Sequence, residues 1–168
     1  MQEVAGESTF YSSDFYYGGA VMADTKIQRE VEEWIRVNWM EKHFGQEFRR
    51  DKVKLSPGGT HEFSAVSDDD SIVACITTSQ AKSPSTSRGT GKINKIRSDL
   101  YFLLLVEAKR KLVLFTEPDM YEVFLKEAGS GRVPISIEFR LVIPEDDDLV
   151  ERLCKARKTA SDEVNPNR

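Results

Sequence analysis

The stretch Thr60–Ser79, THEFSAVSDDDSIVACITTS, decides how this chain folds. Two runs containing β-branched and aromatic residues flank the acidic triplet Asp68–Asp70, a pattern that reads as two antiparallel strands joined by a tight turn. With the turn centred between Asp69 and Asp70, Ser64 falls opposite Cys75, Glu62 opposite Thr77 and Phe63 opposite Ile76. Alternation then puts Phe63, Ala65, Ile72, Ala74 and Ile76 on an apolar face that packs into a core. Glu62, Ser64, Cys75 and Thr77 share the other face, with Val66 and Val73 toward the turn. A one-residue bulge would break this register. The second face is the unusual one, because small polar side chains line up in mid-sheet. Two readings account for it: an ordinary sheet face under a helix, where hydroxyls bond locally, or the floor of a site whose charged groups have been replaced.

Working outward, Asp24 and Thr25 are N-cap residues for a helix to about Phe44, which Gly45 ends. Ile27, Val31, Trp34, Ile35 and Trp39 fall on one broad face of it. EFRRDKVKLSP reads as a strand stopped by Pro57 and followed by a Gly58-Gly59 turn. After the hairpin comes the Ser/Gly-rich loop QAKSPSTSRGTGK, and then KINKIRSDL at helical spacing. YFLLLV from Tyr101 reads as a strand, turned by EAKRK into a second, LVLFTE. A helix over Pro118–Gly129, a strand VPISIEFRLVIP and a helix from Glu145 to about Lys158 complete the chain. Hairpins mixed with helices argue for an α/β sandwich around a mixed sheet and against a doubly wound parallel one. No internal repeat is present.

At 168 residues, with 39% apolar residues and a formal charge of −4, the chain suits one soluble domain, and its global charge identifies no partner. No apolar run reaches the roughly 18 residues of a membrane span. Cys75 and Cys154 are too far apart in sequence to suggest a disulfide framework or a metal-ligand spacing, and a reducing cytoplasm is expected. Residues 1–21 are rich in Ser, Gly, Tyr and Phe, lack Lys and Arg, and show none of the features of a secretory signal. They read as a flexible or partner-facing arm ahead of a single domain over 22–158, with a polar tail over 159–168.

GGTHEFSAVSDDDSIVACITTS, with a glutamate-bearing helix before it and a basic loop and helix after it, resembles the PD-(D/E)xK nuclease superfamily over roughly Asp24–Glu117. The resemblance implies a restriction-endonuclease-like mixed β-sheet flanked by helices. It also implies an aspartate on the first of two adjacent strands, Asp/Glu-x-Lys on the second, and a glutamate from the first helix. Carried over by position, the aspartate falls on Ser64, the second acid on Cys75 and the lysine on Thr77, and all three depart. Magnesium is a hard cation that wants anionic oxygens, whereas two hydroxyls and a soft thiol bring no charge. The resemblance therefore implies a catalytically degenerate member with no cofactor. Glu62 and Glu32, with Gln80, Lys82 or Lys92 from the loop, are the residues from which a magnesium-dependent site would be rebuilt. Glu33 points away from the stripe and reads as a solvated charge.

The remaining motifs are weaker. His61 shares the parity of Phe63 and not that of Cys75, which argues against a Cys-His pair. His43 sits where it would interact with a helix carboxyl end. Asp68–Asp70 reads as a solvated turn, and EDDD at Glu145 as a helix start. From Ser71 to Ser98 there is no acidic residue, while Lys82, Arg88, Lys92, Lys95 and Arg97 are basic. This is either a nucleic-acid-binding segment near a helix N-terminus or a solvated basic loop; GTGK is too short to be a phosphate-loop signature. The expected function is a non-catalytic nuclease-like domain that binds DNA, RNA or a protein partner, without a membrane role. The alternatives are an active metal-dependent endonuclease with a migrated site, or an assembly subunit, such as a homo-oligomer, that docks through Phe10, Tyr11, Phe15, Tyr16 and Tyr17.

Overall fold

Ile27, Val31 and Ile35 recur every four residues as buried positions, and the next core residue, Met40, comes five on. That longer step is made by a π-helical segment, Ile35–Met40, which continues α1 (Ala20–Trp34) and leads into α2 (Glu41–Phe44). The extra residue holds the buried stripe on the sheet, so Met40 takes the core place expected for Trp39, which is only partly buried. Gly45 closes the helix in the left-handed conformation (φ 69°). The structure, a computed structural model, describes residues 20–81 and 89–164. Most of the expected arm, Lys82 and Arg88 lie outside them. Because α1 begins at Ala20, Asp24 and Thr25 lie within the helix and do not cap it, and the boundary drawn at residue 22 falls inside this element.

Five strands follow: β1 (Phe48–Lys54), β2 (Thr60–Ser67), β3 (Ile72–Thr77), β4 (Arg110–Phe115) and β5 (Ile137–Leu141). They form one mixed sheet in sequence order, with β2 antiparallel to β1 and β3, and with β3, β4 and β5 parallel. The crossovers run through α3 (Thr90–Leu105) and α4 (Pro118–Gly129), and α5 (Asp147–Val164) ends the described chain. α3 and α4 bury Ile93, Ile96, Leu100, Leu103, Met120 and Phe124 on one sheet face. On the other face lie Ile27, Val31, Ile35 and Met40, with Leu149 and Leu153 of α5. The result is a three-layer α/β structure with two cores.

Two expectations change. YFLLLV is not a strand: α3 runs on through Leu105, with Leu103 fully buried and Tyr101 and Leu104 exposed. A short apolar run fits either period, and here the stripe Ile93, Ile96, Leu100, Leu103 carries the helix onward. α5 likewise extends past Lys158 to Val164, so the tail expected from residue 159 begins as helix.

Next to the turn the hairpin register is as expected, Ala65 facing Ala74 and Val66 facing Val73, but the expected pairs Ser64/Cys75, Phe63/Ile76 and Glu62/Thr77 are not part of the ladder. The face assignment also differs. Against β1, the pairing steps from Arg49↔Val66 to Asp51↔Phe63, so β2 carries one extra residue at Ser64–Ala65. Alternation fails across this bulge. Phe63 joins the α3/α4 core while Ala65 joins the α1/α5 core. Glu62, paired across the ladder with Lys52, moves to the face opposite Cys75.

Candidate functional site

The bulge also ends the ladder between β2 and β3, which comprises the Ala65↔Ala74 and Val66↔Val73 pairs. Ser64 and Cys75 therefore flank the point where the two strands part. α1 approaches this fork from one face and α3 from the other.

On the α1 side, Ser64 is half-buried, and its carbonyl accepts a hydrogen bond from Arg36 Nη1 at 2.7 Å. Arg36 is buried and also pairs with Glu33, so that glutamate holds a guanidinium and is not merely a solvated charge. Glu32 has a side chain only 18% exposed and lies 3.7 Å from Arg50 Nη1. The same guanidinium takes Glu62 in a two-point contact, at 3.0 Å through Nε and 3.2 Å through Nη2. One arginine of β1 thus bridges the two carboxylates from which a site would be rebuilt. Burial raises the pKa of Glu32, opposed by Arg50, Arg36, Lys95 and Arg29. The Arg50 hydrogen bond lowers that of Glu62.

On the α3 side, Cys75 is buried among Val73, Ile93 and Ile96. Desolvation pushes its thiol well above the ordinary range, so it is neither a nucleophile nor a ready ligand. Lys95 and Asp99, paired at 2.8 Å along α3, both act on Cys75, and Lys95 also acts on Glu32. His61 stacks on Phe102 (3.9 Å between centroids) and meets Phe63 edge-on at 4.8 Å. It lies on the same side of the sheet as Cys75, contrary to the parity argument, because the bulge reverses β2. Desolvation lowers its pKa. Thr77 is buried at the end of β3, where its hydroxyl accepts from Ser79 N at 3.4 Å and its carbonyl from Thr116 N at 3.1 Å.

The fork thus brings Ser64, Glu32 and Glu62 together on one side and leaves Cys75 on the other. Among the described residues, no three His, Cys, Asp and Glu side chains converge as a metal site would require. The donors at the carried-over positions do not fit magnesium: they are hydroxyls and a buried protonated thiol, and the nearby carboxylates are held by arginine. Arg36, Arg50 and Asp99 were not singled out from the sequence. Arg36 and Asp99 stand one helical turn from Glu32 and Lys95, a spacing that pairs side chains, whereas Arg50 gives no local signal.

Elsewhere, Asp69 accepts from Ser67 Oγ, Ser71 Oγ and Ser71 N, and these bonds lower its pKa to about 2. The triplet is turn structure. Asp146 accepts from Leu149 N at 3.0 Å and caps α5. His43 stacks on Trp39 at 4.7 Å. Of the basic residues on α3, Lys95 pairs with Asp99 and Arg97 with Glu127, while Lys92 is exposed. No helix among the described residues is long and apolar enough to cross a membrane. No protein-family model, curated protein or solved structure compared with this chain matches it.

Proposed function

We propose that this chain is a restriction-endonuclease-like domain that has lost its catalytic groups and binds nucleic acid without cutting it. One observation carries the reading. The two strands part at Ser64 and Cys75, where the family would place its acids, and the remaining carboxylates, Glu32 and Glu62, share the single guanidinium of Arg50. The order of elements supports the fold: a glutamate-bearing helix, an antiparallel meander, then a helix returning to a parallel strand. An arginine takes the charge-balancing part that a metal would play between Glu32 and Glu62, and it supplies no activated water.

Binding falls to the segment after β3. Since Lys95 and Arg97 are ion-paired, the phosphate contacts are assigned to Lys82, Arg88 and Lys92. Each neutralised phosphate releases condensed counterions, so three contacts give a slope of log affinity against log salt of about −2 to −3. Fluorescence anisotropy with a short duplex and a single strand, over a salt series, measures it. Replacing the three with alanine should flatten the slope and leave the thermal midpoint unchanged. Sequence preference should be weak, because such contacts position a backbone. No binding at low salt, or an unchanged slope in the triple variant, contradicts the assignment.

A further inference from the structure

The two edges of the sheet are built differently. β1, the first edge, reads FRRDKVK, a charged strand beside a bulge, which is how natural sheets discourage further pairing. β5, the last edge, reads IEFRL and is bordered by exposed apolar side chains. Ile135 is fully exposed, Ile143 is 52% exposed and Leu141 38%. These are three of the seven large hydrophobics exposed among the described residues.

The backbone of β5 has a defined outer side. Val142 N donates inward to Phe115 O at 2.8 Å, and alternate residues share a direction, so the N–H groups of Phe139 and Leu141 point away from β4. The outward N–H of Ile137 is used within the chain, by Pro134 O at 3.1 Å. Among the described residues, two donors and the matching carbonyls therefore stand on an edge that no other strand pairs.

We propose that β5 pairs with β5 of a second copy, antiparallel, about a two-fold axis at Phe139. The sequence is self-complementary about that point. Position 138 then faces 140, placing Glu138 of each copy, which its own Arg110 and Arg140 already contact, opposite Arg140 of the other. Ile137 faces Leu141, while Ile135, in the turn before β5, and Ile143, beyond its end, lie outside the ladder. Opposite charges and apolar residues each meet their match, and no like charges stand opposite. Phe139 meets Phe139 as a hydrogen-bonded pair, the arrangement its outward N–H and C=O require. The interface is isologous and closed, so it forms a dimer with one ten-stranded sheet and does not propagate. A shift by one residue would set Arg140 against Phe139 and leave the outward groups out of phase.

Analytical ultracentrifugation of the full chain tests this, and a dimer is expected at tens of micromolar. Arg140→Glu puts two glutamates opposite each other at both ends of the axis and should raise the dissociation constant on the order of ten-fold, with an unchanged circular dichroism spectrum. Register is read by cross-linking in a Cys154→Ser background. Glu138→Cys protein mixed with Arg140→Cys protein should form a disulfide dimer under mild oxidation, while neither alone does. A monomeric wild type contradicts the proposal. So does a dimer that is indifferent to Arg140→Glu and gives no mixed cross-link.

Discussion

Arg50 is the residue that decides the chemistry of the fork. A carboxylate buried as Glu32 is would ordinarily need a cation or a proton, and the guanidinium of β1 supplies the cation while also holding Glu62. The balance is incomplete, since burial still raises the pKa of Glu32. Folding therefore favours its protonated form. That contribution is fully present below the ordinary value of 4.5 and is lost as pH rises through the higher value in the folded chain. Glu32→Gln removes the charge and keeps the shape. The variant should melt above wild type at pH 7 and level with it below about pH 4, as differential scanning calorimetry across pH would show. A variant less stable at pH 7 would mean that the Arg50 contact outweighs desolvation. The helix glutamate was legible in the sequence from its place beside the apolar stripe. The arginine was not, because its partners lie on another strand and another layer, and nothing local in FRRDKVK distinguishes Arg50 from its charged neighbours.

At the scale of the elements, a single inserted residue in β2 reorganises the site. The turn chemistry of Asp68–Asp70 fixes the hairpin register, and that much was readable: Ala65 faces Ala74. The bulge at Ser64–Ala65 left no mark, having neither glycine nor proline, and it is set by how β2 meets β1. The run Tyr101–Leu105 was misread for the related reason that five apolar residues suit both periods, and packing on the sheet decides. The spacing Ile27, Val31, Ile35, Met40 did record the π turn, in its final step of five. The bulge makes a sharp prediction. Ser64→Ala should change stability little. Deleting Ser64 restores strict alternation while keeping Phe63, now 1% exposed, on the α3/α4 face and Ala65 on the α1/α5 face, so a urea titration should show a loss well short of the about 3–5 kcal/mol that expelling Phe63 would cost. A loss of that size would show that one extra residue at this point does not account for the faces of β2.

For the whole molecule, the three layers meet at the fork between β2 and β3, with Arg36 and Glu32 on one face and the α3 residues packed around Cys75 on the other. The resemblance to a nuclease core, read from the hairpin and its flanking helices, directs attention to this place, where Ser64 and Cys75 flank the parting strands and Glu32 and Glu62 meet Arg50. The net charge of −4 opposes nucleic acid, so the proposed binding would depend on the local basic segment and should weaken with salt. The proposed loss of catalysis is tested most directly by incubating purified chain with single- and double-stranded DNA and RNA in Mg²⁺ or Mn²⁺ and following the products on denaturing gels. No metal-dependent cleavage is expected, for wild type or for Arg50→Ala, in which the two carboxylates are released. Cleavage that EDTA abolishes and that Glu62→Ala or Glu32→Gln also abolishes would show instead a working site rebuilt from those carboxylates.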